Sequence, residues 1–389
     1  MFRVRVAFLQ KLWHEHLGVM WLAAVLKRAG HEAAVFIEKG ERDVAASALA
    51  WRPDLVAFSS TTGDHLWALD TAARIRSCAK TPTIMGGAHP TFFPEVIQDP
   101  NLDFICRGEG EDALVELADA LATGKPAEGI PNLWVKKNGQ VMRNPVRPPL
   151  ARLDSLPFPD RSVYFKYPTL RDHPVKHFIA GRGCPFDCSF CYNQAIKELY
   201  RGMGRFVRLP SPAYTLEEVA DVKARYGLRT VVFADDSFTY DVRWLQEFLA
   251  GYRERIGLPF ICNLRPDLAT EEVIRALKAA NCFRVCIGVE TGNERIRVEV
   301  LNKRITNAQI LETVRLLRKY RLPFLANTMV GIPGETLDDA LETVRFNARI
   351  RTDYPWCSIL QPYPKTKIAE FAAQIGVLHG LEVEKFSDT

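Results

Sequence analysis

Along the first third of the chain, apolar residues fall into short continuous runs separated by stretches with helical spacing. "FRVRVAFL" (2–9), "EAAVFIE" (32–38), "DLVAFSS" (54–60), "PTIMGG" (82–87) and "LDFICRG" (102–108) have the length and composition of buried strands. "GVMWLAAVLKRAG", "ERDVAASALA", "DHLWALDTAARIRSCA" and "EDALVELADALATG" carry the helical pattern. A strand followed each time by a helix, or by a short helical loop after "PTIMGG", predicts a doubly wound parallel sheet, because parallel neighbours need a crossover. Sheets of this kind bind ligands beyond the carboxyl ends of their strands.

The pattern changes between 130 and 160. "NLWVKKNGQVMRN" predicts a hairpin turning at Asn138-Gly139, a pair that tolerates positive φ. "PVRPPLARLDSLPFPDR" then places five of the chain's 24 prolines in 17 residues, which predicts a linker or an extended strap. A second alternating run follows: "KHFIAGRG" (176–183), "RTVVFAD" (229–235), "PFICNL" (259–264), "FRVCIGVE" (283–290), "PFLANTMVG" (323–331) and "WCSILQPY" (356–363), separated by helical segments. Six strand–helix units predict a partial (β/α)6 arc of TIM-barrel type, with its chemistry at the strands' carboxyl ends. The expected organisation is 1–127 as a first α/β domain, 128–172 as hairpin and Pro-rich linker, and 173–389 as the partial barrel.

Composition narrows the class. A chain of 389 residues, 47% hydrophobic and 25% charged, has apolar material for two or three cores. The net charge of +5 is spread without a basic run, so no nucleic-acid partner is expected. No apolar segment approaches the length of a membrane span, and "MFRVRVAFLQ" does not read as a secretory signal, which points to the cytoplasm. Thiols stay reduced there, and clustered cysteines more often mean metal or catalysis than disulfides.

Three of the nine cysteines lie within "CPFDCSFC", residues 184 to 191, directly after the first strand of the second run. Cys184, Cys188 and Cys191 supply three thiolates, one fewer than the usual shell of a four-iron cluster, which would leave one iron open. Structural zinc is the competing reading and requires a fourth nearby Cys or His. His177 lies inside the predicted strand and Cys262 in a different one, so neither closes a compact knuckle.

The Cys-x3-Cys-x-aromatic-Cys spacing, with Phe190 in the aromatic place, resembles the signature of the radical S-adenosylmethionine (SAM) superfamily, whose fold is such a six-unit barrel. The first domain is similar to the Rossmann-like cobalamin-binding domain of that superfamily's B12-dependent branch, and "LDSLPFPDR" to the joint between them. The resemblance implies a 4Fe-4S cluster on Cys184, Cys188 and Cys191, with SAM on the open iron. It also implies a flavodoxin- or ferredoxin-type electron donor.

Other segments take places around SAM in this resemblance. In "FADDSF", Asp235 and Asp236 are candidate partners of the methionine ammonium, and a helix cap is the plainer alternative. Glu290 in "GVETGNE" is placed to accept ribose hydroxyls, or simply starts the next helix. In "MVGIPGE", Gly331 and Gly334 allow contact with adenine. Arg265 in "NLRPD" follows the third barrel strand and binds either a substrate or cofactor carboxylate in the barrel mouth or Asp267.

Cobalamin domains that supply a histidine to cobalt carry Asp-x-His-x-x-Gly after the first strand. Here "QKLWHEHLG" has His14, His16 and Gly18 without that motif, so no histidine ligand is expected. Ser59, Ser60, Thr61, Thr62 and Gly63 end the third strand, Gly86, Gly87 and His89 the fourth, and Gly108 and Glu109 the fifth. These are the expected cobalamin-binding positions.

The chemistry implied is radical methylation of an unactivated carbon, or of a phosphinate phosphorus. The alternative outcome is oxidative cyclisation or ring rearrangement with the same cofactors. A tRNA methylthiotransferase would need three further N-terminal cysteines, and residues 1–150 contain only Cys78 and Cys106. A non-catalytic cobalamin sensor would not need the complete thiol triplet. The expected substrate is a small molecule such as a lipid, tetrapyrrole or antibiotic precursor, or a peptide. Either the substrate domain is minimal or, as we expect, a further one lies beyond "EVEKFSDT", and methyl transfer leads us to expect the carboxyl edges of both sheets to enclose one cavity.

Overall fold

The computed structural model describes residues 3–378. The chain divides into two compact units, with the boundary between Asp172 and His173.

The first unit is built on β1 (Arg5–Gln10), β2 (Glu32–Ile37), β3 (Leu55–Ser59), β4 (Thr83–Gly86) and β5 (Phe104–Cys106), all parallel. Two antiparallel strands, β6 (Leu133–Lys137) and β7 (Gln140–Arg143), extend the sheet to the order β2-β1-β3-β4-β5-β6-β7. Because successive strand side chains face opposite ways, Val6 and Phe8 enter one core with Met20 and Leu117, whereas Ala7 and Leu9 enter another with Phe58 and Ile75. Burial on both faces is why these strands read as unbroken apolar runs.

Residues 128–172, expected as a separate hairpin and linker, instead complete this unit. The hairpin covers the edge of β5 that a boundary at 127 would expose. It turns at Asn138 and Gly139, with φ of 52° and 77°. The proline-rich segment is a strap anchored by two buried tyrosines. Tyr164 accepts from the His16 N–H at 2.9 Å and donates to Gln10 Oε1 at 2.8 Å. Tyr167 accepts from the Ile37 N–H at 2.8 Å and donates to Glu41 Oε1 at 2.7 Å.

The second unit is a six-stranded parallel half-barrel with its strands in sequence order: β8 (Val175–Phe178), β9 (Thr230–Phe233), β10 (Phe260–Leu264), β11 (Cys282–Glu290), β12 (Phe324–Val330) and β13 (Tyr354–Ile359). Phe178, Phe233, Phe260, Val285 and Phe324 pack against Leu245, Phe248, Leu277 and Leu317 of the surrounding helices. "KHFIAGRG" is a strand only as far as Phe178. The remainder leaves the sheet to form the cysteine loop, with Arg182 pairing to Arg208.

Candidate functional site

The cysteine loop runs from β8 to the helix Tyr192–Leu199 and is pinned along its length. Gly183 has φ of +83°, and a Cβ there would lie 2.7 Å from the Phe206 carbonyl, so the entry to the loop requires glycine. Ser189 donates through its N–H to Leu301 O at 2.9 Å and through Oγ to Val300 O at 2.6 Å, and accepts from the Ile368 N–H at 3.0 Å. Lys197 Nζ donates to Pro185 O at 3.0 Å and Asp187 Oδ1 at 2.6 Å. Phe190 packs on the apolar cluster of Ile296, Leu301, Met329 and Ile332, which fixes the residue before Cys191.

Cys184, Cys188 and Cys191 are free and partly exposed. Burial, together with the charges of the neighbouring thiols and Asp236, pushes the Cys184 thiol up to about 11, and burial also raises that of Cys191. A positive centre is therefore needed to hold these two as thiolates. Among the described residues, no three His, Cys, Asp or Glu side chains converge to hold a single metal ion. Three thiols from one loop leave a tetrahedral zinc one ligand short, whereas they suit a four-iron cluster with one iron open.

The paired acids have separate roles. Asp235 is buried, accepting from Ala180 N–H at 3.0 Å and Gly181 N–H at 2.7 Å, and thus ties the end of β9 to the start of the cysteine loop. Burial pushes its carboxyl up to about 7, against the lowering effect of those two donors. Asp236 is exposed and takes a 2.9 Å hydrogen bond from Asn193 Nδ2, which also lies 3.5 Å from Cys191 Sγ. Of the two acids, Asp236 is the one exposed beside the thiols. Neither is a helix cap: the following helix, Val242–Arg255, is capped by Asp241.

Arg265 is paired with Asp267, the salt-bridge alternative expected for it. Nε and Nη2 grip Asp267 at 2.9 and 3.0 Å, while Nη1 lies 3.8 Å from Cys188 Sγ. The guanidinium carbon is 3.4 Å from the centre of the Phe186 ring. Asp267 thus holds the cation against the cysteine loop, leaving less of it for a substrate carboxylate.

Glu290 ends β11 at a bulge, with φ of +63°. It is buried, and Oε1 takes a 2.6 Å bond from Lys303 Nζ, itself buried. A Cβ on Gly288 would stand 2.2 Å from Lys303 Nζ and 2.3 Å from Glu290 Oε1, so that glycine makes room for the ion pair. Lys303 carries no signal in the sequence because it reaches the site from a segment without a motif, and Asn193, two residues after Cys191, is not marked by the cysteine spacing. At the end of β12, Gly331 (φ +74°) and Gly334 (φ +81°) form a turn closed by Glu335, which accepts from the Gly331 N–H at 2.6 Å.

At the carboxyl edge of the first sheet, Ser60 and Gly87 are in close contact. Ser60 N–H donates to Gly86 O at 2.9 Å, and a Cβ on Gly87 (φ +95°) would meet Ser60 O at 2.7 Å. His89 is buried; its ring stacks on His65 at 3.8 Å and its Nδ1 lies 3.2 Å from Thr62 Oγ1. Burial, then the neighbouring His65, lowers its pKa to about 3, so it is a neutral clamp between two loops. Ser60 and Thr62 are buried with it, whereas Ser59, Thr61, Gly63, Gly86 and Gly87 retain exposure. Gly108 N–H donates to Thr91 Oγ1 at 3.0 Å, and Glu109 Oε2 accepts from the strap's Leu150 N–H at 2.7 Å. Both are thus engaged within the unit.

A doubly wound sheet and a parallel half-barrel bearing a Cys-x3-Cys-x2-Cys loop define a two-unit α/β enzyme class. The B12 binding domain profile matches residues 4–118, and the Radical SAM superfamily profile matches residues 178–346. An uncharacterized methyltransferase of Pyrococcus horikoshii is 30% identical over 95% of this chain and 81% of its own length. The anaerobic magnesium-protoporphyrin IX monomethyl ester cyclase of Rubrivivax gelatinosus is 25% identical over 89% of this chain, which spans 64% of that enzyme. The radical SAM methyltransferase TsrM of Kitasatospora setae, solved with cobalamin and a 4Fe-4S cluster bound, superposes with a TM-score of 0.79 at 20% identity, covering 96% of this chain and 78% of TsrM. The chain belongs to the B12-binding radical SAM enzyme family and is a cobalamin-dependent radical SAM enzyme. Among the described residues, no helix is long and apolar enough to cross a membrane.

Proposed function

We propose that the protein is a methylase acting on an unactivated carbon of a small molecule. The observation that carries this reading is the pinned three-thiol loop, with the exposed Asp236 beside it, in a chain whose first unit is a B12-binding domain. The methyltransferases among its relatives support the outcome.

Cys184, Cys188 and Cys191 would hold the cluster. Asp236, oriented by Asn193, would accept from the methionine ammonium of SAM, while Asp235 fixes the loop behind it. Glu290, with Lys303, presents a polar pair at the end of β11, and Gly331 and Gly334 let the backbone approach adenine. The open positions Ser59, Thr61, Gly63, Gly86 and Gly87 receive the nucleotide tail of cobalamin. When bound, the cluster and SAM supply a 5'-deoxyadenosyl radical and cobalamin supplies the methyl group.

The test is anaerobic turnover of the reconstituted protein with extract fractions and a flavodoxin-type reductant. Methylation requires that 5'-deoxyadenosine and S-adenosylhomocysteine form together with a product one methylene heavier. Deoxyadenosine with an oxidised, unmethylated product would favour the cyclase reading, which the cyclases among the relatives support.

A further inference from the structure

β11 ends in a strained turn. Glu290 has φ of +63°, and the Thr291 N–H donates back to Val289 O at 2.8 Å, which makes Glu290 the central residue of a three-residue γ-turn. With positive φ this is the classic form, rare and strained for a residue with a side chain. Such backbone persists only where the surroundings over-determine it, and it gathers at functional sites.

The group that holds the turn is Arg297, fully buried, from the π-helical turn Ile296–Val300. Nε donates to Val289 O at 3.0 Å and Nη2 to Thr291 O, so one guanidinium grips the backbone on both sides of Glu290. Nη1 reaches Ile305 O at 2.9 Å, and Nη2 also reaches Asn307 Oδ1 at 2.7 Å. The Arg297 carbonyl in turn accepts from the Lys303 N–H at 2.9 Å. Side chain and main chain of one residue therefore fix both members of the Glu290–Lys303 pair.

Packing alone accounts poorly for this residue. All four acceptors are neutral, and among the described residues no carboxylate pairs with Arg297 directly. Glu290 is held by Lys303, Glu294 accepts from the Asn307 N–H, and Glu342 accepts from Asn293 Nδ2. Burial lowers the Arg297 pKa to about 10, so it is charged at neutral pH. A buried cation without its own anion is less stable than an apolar side chain of similar volume, and what Arg297 contributes is geometry.

We propose that Arg297 is a positioning residue for SAM: by holding the γ-turn it presents the Glu290 carboxylate, with Lys303 beside it, to the ribose hydroxyls. This rests on the reading that Glu290 contacts SAM.

The experiment measures equilibrium binding of SAM to the full chain after anaerobic cluster reconstitution, with the melting temperature of the cofactor-free protein alongside. Arg297→Lys keeps the charge but loses the planar fork that spans Val289 and Thr291, and is expected to weaken SAM binding about tenfold. Glu290→Gln is expected to weaken it about as much, and the double variant no more than about twofold beyond the weaker single one, because Arg297 acts through Glu290. Asn307→Ala removes one acceptor of the guanidinium and is expected to weaken binding about fivefold, which reads the same effect if Arg297→Lys does not fold. A residue that only stabilised the barrel would lower the melting temperature and leave the affinity of the folded protein in place. The proposal is overturned if Arg297→Lys, or Asn307→Ala where the former does not fold, binds SAM within about twofold of wild type, or if the losses multiply in the double variant. Glu290→Gln that binds SAM as wild type does overturns the reading of Glu290, and the proposal with it. None of these readouts depends on whether the product is methylated, so failure of the methylase reading shows separately.

Discussion

Asp235 and Asp236 are adjacent in sequence, yet their substitution should have opposite consequences. Asp235→Asn replaces one of two acceptor oxygens with an NH2 group facing the Ala180 or Gly181 N–H. A buried donor left without a partner costs about 1–3 kcal/mol. For a unit of this size that is a fall in melting temperature of about 2–12 °C. The wild-type carboxyl, pushed up to about 7, keeps its proton at pH values where the unfolded chain has lost it. Its stabilising contribution is full below the unfolded pKa of about 3.9 and is lost as pH rises through about 7, at up to ~1.4 kcal/mol per pH unit. The amide does not titrate, so the penalty of Asp235→Asn should be larger at about pH 5 than at about pH 8. Asp236→Asn, at an exposed position, should stay within about 0.5 kcal/mol of wild type at both values and instead reduce SAM cleavage. Denaturant melts of the cofactor-free protein at the two pH values, with deoxyadenosine release from the loaded one, measure both effects. Equal destabilisation by the two substitutions, or a neutral Asp235→Asn, would refute the division of labour.

Two further outcomes are expected. Lys303→Met leaves Glu290 buried without its partner and should cost about 3–5 kcal/mol, with part recovered in the Lys303→Met/Glu290→Gln double variant; a melt of the single variant within about 1 kcal/mol of wild type counts against the buried pair. Serine at Cys184, Cys188 or Cys191 should each abolish the cluster's visible absorbance after anaerobic reconstitution, and unchanged iron content in all three variants would remove these residues as ligands.

Sequence alone determined the elements and the order in which they come. Strands buried on both faces leave continuous apolar runs, and helices that crossed between them leave a helical period, so the parallel sheet and the half-barrel were both legible. "CPFDCSFC" was equally legible, because ligands supplied by one short loop keep their spacing in the linear chain. What required the tertiary structure was every contact made between distant segments. Proline density marked 145–161 as irregular, but contacts from distant segments make the strap part of the first unit, among them the Tyr164 and Tyr167 hydroxyls on β1, β2 and the His16 turn and the Leu150 N–H on Glu109. Asp235 and Asp236 look alike in "FADDSF". Two N–H groups from the end of β8, 54 and 55 residues away in sequence, take one inward and leave the other facing the thiols. Lys303 pairs with Glu290 from beyond the next helical segment, and the space for its ammonium is the missing side chain of Gly288. A sequence records which groups are available; which of them meet is fixed by packing, because a buried charge or donor persists only where the fold brings its partner within bonding distance.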